Sequence, residues 1–308
     1  MKHVFAKLLR RISGGQAGAA GLNNRVIHLP DDLIDPDGFL IYSGPDESDV
    51  WPAVYMANTI QREFPCKDIT VICSLRDTAL FNMLRTRPSV HTYDGRPRIP
   101  AAIEGDTISA GTILVYPYAI VRSEAERLLS GTVCGIRMAP LTDSSTYINL
   151  RVKTETDVYP DILSQMCSAI GITYDADWRP TVPNRVEELV EHKIAPVSGR
   201  MLPYIVTTPS AISILEKSRA EIPLRTVLLS GKNSDFKELD REIKTVIIAD
   251  ASAVVTDSDD LWGDACAHGV PVVGLDTSGS FIRWKDREPA VDQDEFAEAW
   301  VRLLKKGW

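Results

Sequence analysis

The chain has few of the features that mark a secreted, metal-binding or membrane-spanning protein. Its 308 residues include five cysteines, an odd number with no CxxC pair and no zinc-like spacing. Because disulfides persist only in oxidising compartments, cysteines scattered through apolar runs indicate reduced core thiols in a cytoplasmic protein. These residues are Cys66, Cys73, Cys134, Cys167 and Cys266.

Histidine clusters, excess positive charge and long apolar runs are also missing. His28, His91 and His192 lie in no ligand-like spacing, so we expect no bound metal and no cofactor. The net charge of −8 argues against a nucleic-acid-binding protein, since such proteins neutralise phosphates with basic side chains. No apolar run reaches transmembrane length, and no signal peptide is recognisable.

What the sequence does contain is typical of a globular protein with two domains. Hydrophobic residues make up 44% of the chain and charged residues 25%, unlike the composition of disordered chains. A length of 308 residues accommodates two domains of about 150 residues each. Strand and helix patterns alternate along both halves, which predicts the α/β class with mostly parallel sheets.

The predicted elements fall into two similar halves. In the first half we predict strands at residues 38–43, 68–73, 112–116 and 133–137, with helices at 50–64, 78–84, 123–129 and 157–171. In the second half we predict strands at 204–208 and 225–230, with helices at 210–219, 236–248 and 292–305. The resulting domains span residues 25–178 and 201–308, joined by a proline-containing linker over residues 179–200.

Residues 1–24 form a separate amino-terminal extension. Within residues 1–12, the apolar side chains Val4, Phe5, Leu8, Leu9 and Ile12 share one helical face, and the basic residues lie elsewhere. Such a helix can lie in an anionic membrane interface, bind a partner protein, or pack on its own chain. The sequence leaves these three possibilities open.

The most informative segment is residues 253–275. It predicts a buried strand, a polar turn, a short helix that stops at Gly269 and a second buried strand, with the dozen or so connecting residues that a parallel crossover needs. Asp257 and Ser258 follow the first strand, where ligands bind in open α/β sheets. The same two residues are good helix caps, so a plain N-cap is an alternative. His268 is expected to be a cation at the helix end.

This segment resembles enzymes of the GT-B architecture, in which two Rossmann-like domains face a cleft. Residues Thr256 to Val272 have the spacing of the signature of UDP-N-acetylglucosamine 2-epimerases. Residues Asp264 to Val272 follow the Glu-Ala-x-Ala-x-Gly-x-Pro-Val run of many GT-B glycosyltransferases, with Asp for Glu. The Asp257-Ser258 turn is similar to the Asp-Ser/Thr-Gly turn of ADP-heptose lipopolysaccharide heptosyltransferases, the family that the chain resembles most.

The amino-terminal half extends the resemblance to heptosyltransferases. A first strand leads to a loop with Asp49, and the following helix ends at Phe64-Pro65, as in that family. The resemblance implies that Asp49 is the catalytic base, and a carboxylate at the cleft can accept a proton from an acceptor hydroxyl. A helix cap is the alternative role, and Asp46 and Glu47 lie in the same loop.

The second half would hold the donor. The resemblance implies that Thr207 and Thr208 contact the donor phosphates and that Asp257 and Ser258 line the same donor site. Ser230, Gly231 and Lys232 follow the next predicted strand, so Lys232 can supply a positive charge to the same site, although a surface lysine in a turn is the alternative.

The resemblance therefore implies metal-independent transfer of a heptose-like sugar from a nucleotide-diphosphate donor, with an ADP-sugar as the expected donor. The acceptor would be a cell-envelope glycan or a protein, and the enzyme would be cytoplasmic or peripheral at the inner membrane face. One alternative is a catalytically inactive GT-B relative with a structural or partner-binding role, because Asp259 and Asp260 replace two family glycines and would repel a diphosphate. A sugar-nucleotide epimerase is the other alternative.

Overall fold

The computed structural model describes residues 35–43, 50–93, 108–118, 123–140, 147–154, 156–181, 203–217, 225–229, 241–278, 281, 283–284, 287 and 289–306. Residues 1–12, Asp49, most of the linker and Ser230, Gly231 and Lys232 lie outside this set. We refer to described residues 35–181 as the amino-terminal unit and to described residues 203–306 as the carboxyl-terminal unit.

The amino-terminal unit is built on a parallel sheet of six strands in the order β3-β2-β1-β4-β5-β6. The strands are β1 Gly38–Tyr42, β2 Asp68–Cys73, β3 Ser89–Thr92, β4 Thr112–Val115, β5 Ile136–Pro140 and β6 Leu150–Val152. Between them lie α1 Trp51–Glu63, a 3₁₀ helix Leu75–Met83 and α2 Ser123–Gly131, and α3 Tyr159–Ala169 follows β6. Helices lie in the connections from β1 to β2, from β2 to β3 and from β4 to β5, as is usual between parallel strands.

The carboxyl-terminal unit has a second parallel sheet, in the order β10-β9-β7-β8. Its strands are β7 Tyr204–Thr207, β8 Arg225–Leu228, β9 Ala253–Thr256 and β10 Val272–Gly274. Its helices are α4 Pro209–Lys217, α5 Arg241–Ala249, α6 Asp259–His268 and α7 Gln293–Lys306. The predicted α/β class with two parallel sheets is confirmed.

The elements form where the sequence offers continuous apolar runs. Strand β1 is buried at every position, as expected of a central parallel strand covered on both faces. Helices α3 and α6 end where predicted, because Gly171 and Gly269 both adopt a positive φ of 75°, a conformation that favours glycine. The domain boundaries at residues 24, 178 and 200 remain predictions.

Three local differences separate the structure from the sequence prediction. The predicted helix at 78–84 is a 3₁₀ helix that begins earlier, at Leu75. The predicted strand at 133–137 lies at Ile136–Pro140, since Val133 is exposed and Cys134 belongs to the preceding loop. Strands β3 and β6 were not predicted, because both are short and mostly half-exposed or exposed.

The cysteines are only partly as predicted. Four of them are buried, but Cys66 is exposed, since it lies in the turn between α1 and β2 rather than in a strand. Burial raises the pKa of Cys73 and Cys167 to about 12 and that of Cys134 to about 11, so these thiols remain protonated at neutral pH. Within the described ranges, no helix is long and apolar enough to cross a bilayer.

One hydrophobic cluster spans both units. It contains most of the buried side chains around the first sheet, and it also includes residues from the carboxyl-terminal unit, namely Trp262, Cys266, Ala267, Phe281 and Trp284. Two smaller clusters lie on the faces of the second sheet. Helix α6 therefore packs on its own sheet with one face and on the amino-terminal unit with another, which fixes the position of its amino terminus.

Candidate functional site

The candidate donor site lies at the carboxyl-terminal edge of the second sheet. Strands β7 and β9 are parallel neighbours, so the turns that follow them meet at the same edge. Thr208 lies in the turn between β7 and α4, and Asp257 and Ser258 lie in the turn between β9 and α6. Both turns lead into helix amino termini, whose helix dipoles favour anions.

Asp257 joins the two turns. The Thr208 hydroxyl donates a hydrogen bond of 2.5 Å to Asp257 Oδ1, and the Ser210 hydroxyl donates to Asp257 Oδ2. Thr208 Oγ1 also accepts the backbone N–H of Ala211 at 3.3 Å, which caps helix α4. Thr208 and Asp257, predicted separately for the donor site, are therefore in direct contact.

Thr207 and Ser258 have different surroundings. Thr207 is buried in β7, and its hydroxyl donates to the carbonyl oxygen of Thr208 at 3.2 Å. Ser258 occupies the N-cap position of α6 in an extended conformation, but its side chain makes no capping hydrogen bond. Asp259 Oδ1 instead accepts the N–H of Asp260 at 2.9 Å. Ser258 is therefore the N-cap residue of α6 by position, but its hydroxyl does not cap the helix.

The first turn of α6 is acidic. Partial burial raises the pKa of the Asp259 carboxyl above its ordinary value, although the hydrogen bond from the Asp260 backbone N–H opposes this rise. Among the described residues, these carboxylates do not converge into a group that could hold a metal ion. They lie where a diphosphate would approach the helix, so a donor needs a compensating positive charge at this point.

At the amino terminus of α6, an ion pair joins the two units. Arg76 Nη1 lies 3.0 Å from Asp260 Oδ2. Arg76 belongs to the 3₁₀ helix that begins directly after β2, so the carboxyl-terminal edge of the first sheet faces the amino terminus of α6. Arg76 Nε also donates to Asp77 Oδ1 at 3.2 Å.

A second, buried ion pair lies within the carboxyl-terminal unit, and its carboxylate also accepts a hydrogen bond from the amino-terminal unit. Arg241 Nη1 and Nη2 donate to the two oxygens of Asp264 at 2.8 and 2.7 Å. The indole N–H of Trp51, in the amino-terminal unit, donates to Asp264 Oδ1 at 2.8 Å. Burial raises the pKa of Asp264 to about 6 although Arg241 and Trp51 lower it, so the carboxylate is mainly ionised at neutral pH.

Aromatic side chains surround the buried pair. The Tyr55 hydroxyl donates to the carbonyl oxygen of Ala267 in α6 at 2.8 Å. The Tyr55 ring packs edge-on against Trp51 and Trp284, with ring centroids 6.4 and 5.6 Å away. These contacts exclude water from the Asp264 carboxylate, which strengthens its interactions with Arg241 and Trp51.

His268 ends α6 beside this cluster, with its ring 5.3 Å from that of Trp51. Its Nε2 is buried and has no hydrogen-bond partner among the described residues. Burial lowers the pKa of His268 to about 4, and the positive charges of Arg179 and Arg241 act in the same direction. The expectation of a cation at this helix end is therefore wrong, since the imidazole is neutral at pH 7.

Four residues of this region were not predicted from the sequence, namely Trp51, Asp77, Ser210 and Arg241, and neither were the buried contacts of Asp264. Only Ser210 had a local clue, because it follows Thr208 by two residues in the first turn of α4. The others depend on partners far away in sequence: Trp51 and Asp264 are 213 residues apart. Four further predicted site residues, Asp49, Ser230, Gly231 and Lys232, lie outside the described residues, so their assignment remains a prediction.

No protein-family model and no curated protein sequence matches the chain. Several solved structures do. The glycosyl transferase family 9 protein from Veillonella parvula is 11% identical, with a TM-score of 0.61 over 88% of this chain and 90% of that one. E. coli heptosyltransferase WaaC with ADP is 11% identical, with a TM-score of 0.58 over 87% and 97%. E. coli ADP-heptose LPS heptosyltransferase II is 12% identical, with a TM-score of 0.54 over 87% and 99%.

At these identities the likeness concerns the fold. The chain has the α/β, GT-B-like fold of heptosyltransferases and related glycosyltransferases, as its sequence motifs predicted.

The hydrogen bond from Trp51 to Asp264 can be tested against a matched tryptophan. Trp51→Phe removes a charge-assisted donor, whereas Trp284→Phe removes a buried indole N–H without a partner among the described residues. We expect Trp51→Phe to lower the free energy of unfolding by about 1.5–3 kcal/mol more than Trp284→Phe does. Urea unfolding of both variants measures the difference, and equal losses would contradict the assigned bond.

The buried His268 predicts a pH dependence of stability. The unfolded chain binds a proton on this imidazole near pH 6.5, and the folded protein does so only near pH 4. The contribution of His268 to the free energy of unfolding therefore falls by about 3 kcal/mol as the pH drops through this interval. Because the raised pKa of Asp264 acts in the opposite sense, the quantity to measure is the difference between wild type and variant at each pH.

We expect His268→Leu to lose this pH-dependent contribution, so that its stability relative to wild type rises as the pH falls from 6.5 to 4. The control is His91→Gln on the half-exposed edge strand β3. A constant difference between wild type and His268→Leu across this pH range would contradict the assignment.

Proposed function

We propose that this protein transfers a sugar from a nucleotide-diphosphate donor, bound mainly by the carboxyl-terminal unit, to an acceptor bound by the amino-terminal unit. The observation that carries the proposal is the facing arrangement of the two carboxyl-terminal sheet edges, which approach each other at Arg76 and Asp260. In open α/β sheets, ligands bind at this edge, and two facing edges can hold donor and acceptor side by side.

The donor diphosphate would bind at the amino termini of α4 and α6. Their helix dipoles favour negative charge, and the hydroxyls of Thr208, Ser210 and Ser258 are polar groups at the same termini. We propose that Ser230, Gly231 and Lys232, which follow β8 next to β7, complete this site. An ADP-sugar is the first candidate donor, because the E. coli WaaC structures that resemble this chain contain ADP or an ADP-heptose analogue.

The proposed reaction needs no metal. The acceptor hydroxyl oxygen attacks the anomeric carbon, the bond from that carbon to the donor phosphate oxygen breaks, and Asp49 takes the hydroxyl proton. The departing diphosphate keeps the electron pair of the broken bond, and helix amino termini together with basic side chains stabilise its charge. In the sequence, Asp49 falls between the end of β1 at Tyr42 and the start of α1 at Trp51.

A catalytically inactive, partner-binding role is the second candidate. Asp259 and Asp260 add two negative charges to the helix terminus that would receive the diphosphate. Asp264, which stands for the glutamate of the GT-B run, is fully buried in an ion pair and contacts the amino-terminal unit. A relative that had lost catalysis would retain such packing and would not need an accessible diphosphate site.

A calorimetric screen of ADP-, UDP-, GDP- and CMP-sugars distinguishes these functions. We expect an ADP-sugar to bind with a dissociation constant in the micromolar range and, with an acceptor glycan present, to release ADP. Absence of binding by every donor would reject the transferase and favour the partner-binding role. Conversion of the donor sugar without any acceptor would instead indicate an epimerase.

The role of Asp49 has its own test. If it is the general base, Asp49→Asn should lower the transfer rate by about 10²–10⁴-fold. Donor affinity and the melting temperature should stay close to those of the wild type, because the substitution is nearly isosteric. Asp46→Asn, in the same loop, is the control and should retain activity. Loss of activity in the Asp46 variant with full activity in the Asp49 variant would reassign the base.

A further inference from the structure

We propose that Arg76 is a donor-binding residue contributed by the amino-terminal unit, and that donor diphosphate replaces Asp260 as its partner. The inference rests on the proposed function, which it extends by naming the cation that the donor site requires. Arg76 would then contact the diphosphate from the side opposite to the helix amino termini. Asp260 would act as an internal competitor for the same guanidinium group.

The inner nitrogen of the Arg76 guanidinium is held by Asp77, and a terminal nitrogen is bound, among the described residues, only to the partly exposed Asp260. Arg76 Nε donates to Asp77 Oδ1 at 3.2 Å, and Asp77 is buried and accepts the Ser74 hydroxyl at 2.6 Å. The terminal nitrogen Nη1 reaches across to Asp260 Oδ2 at 3.0 Å. Because Asp77 anchors the inner nitrogen, the guanidinium group can exchange its outer partner without leaving the edge of the first sheet.

A second arginine near Asp260 is not accessible. Arg241 Nη2 lies 3.9 Å from Asp260 Oδ1, but both terminal nitrogens of Arg241 are bonded to Asp264, and its side chain is 5% exposed. The Arg76 side chain is 51% exposed and that of Asp260 is 29% exposed. Of these two arginines, Arg76 is therefore the one that a soluble diphosphate can reach.

The exchange is energetically reasonable. Exposed ion pairs contribute little to stability, about 0–1 kcal/mol, so the bond between Arg76 and Asp260 is easily given up. A diphosphate carries more negative charge than one carboxylate and accepts the paired N–H groups of a guanidinium in bidentate geometry. Asp260 lies in the first turn of α6, where a diphosphate would also gain the interaction with the helix amino terminus.

The two members of the ion pair should affect donor binding in opposite directions. Arg76→Met removes the cation, and we expect it to weaken binding of ADP and of the ADP-sugar about 10- to 100-fold. Asp260→Asn removes the competing anion and its repulsion, and we expect it to tighten binding several-fold. Isothermal titration calorimetry of wild type and both variants with ADP as the probe measures the dissociation constants.

Two further variants control for folding and for general charge. Arg76→Lys keeps the charge but loses the planar fork, so its affinity should fall between those of wild type and Arg76→Met. Arg62→Met removes another exposed arginine, which lies in the last turn of α1 and is 2.6 Å from Asp175, so it should leave the affinity for ADP unchanged. Melting temperatures confirm that each variant is folded.

The outcomes separate the inference from the function on which it rests. If wild type binds ADP and Arg76→Met binds equally well, or if both substitutions change the affinity in the same direction, the inference is wrong and the donor site stands. If neither wild type nor Asp260→Asn binds ADP or any sugar nucleotide, the proposed function fails and Arg76 is only a structural contact between the units.

Discussion

The burial of the Asp264 carboxylate is the constraint on which the arrangement of the two sheets depends. An ionised carboxylate can leave water only if strong donors replace its hydration, and here Arg241 from α5 and Trp51 from α1 do so. Because Trp51 belongs to the other unit, satisfying this one charge requires the two units to meet in a single orientation. The aromatic contacts of Tyr55 and the shared hydrophobic cluster then complete the interface.

Two ion pairs of opposite character therefore lie along the same interface. The pair formed by Arg241 and Asp264 lies within the carboxyl-terminal unit, is buried and bidentate and is costly to break, and its carboxylate accepts the Trp51 indole N–H from the other unit. The pair formed by Arg76 and Asp260 lies at the water-accessible edge, where screening makes it weak. The buried contacts of Asp264 can hold the two units together while the exposed pair of Arg76 and Asp260 opens and its members bind other groups.

Much of the fold could be predicted from the sequence, because strands such as β1 and β2 are continuous apolar runs and because Gly171 and Gly269 mark helix ends. Thr208 and Asp257 were assigned to one site through the resemblance to heptosyltransferases, whereas their contact depends on the pairing of β7 with β9, which was not predicted. Edge strands β3 and β6 were missed because short, partly exposed segments lack a periodic pattern. The contacts of Arg76 and Asp264 had no local signature, since each depends on a partner brought near only by the tertiary fold.

The shared cluster has a consequence for how this architecture can vary. GT-B-like chains look like two interchangeable modules, each with its own sheet. Here, separating the halves would expose the aromatic residues Trp262, Phe281 and Trp284 and would remove the indole donor from a buried acid. Neither half is therefore expected to be stable as a separate domain. A chimera that combines one half with a half of another protein would have to keep the residues of this interface.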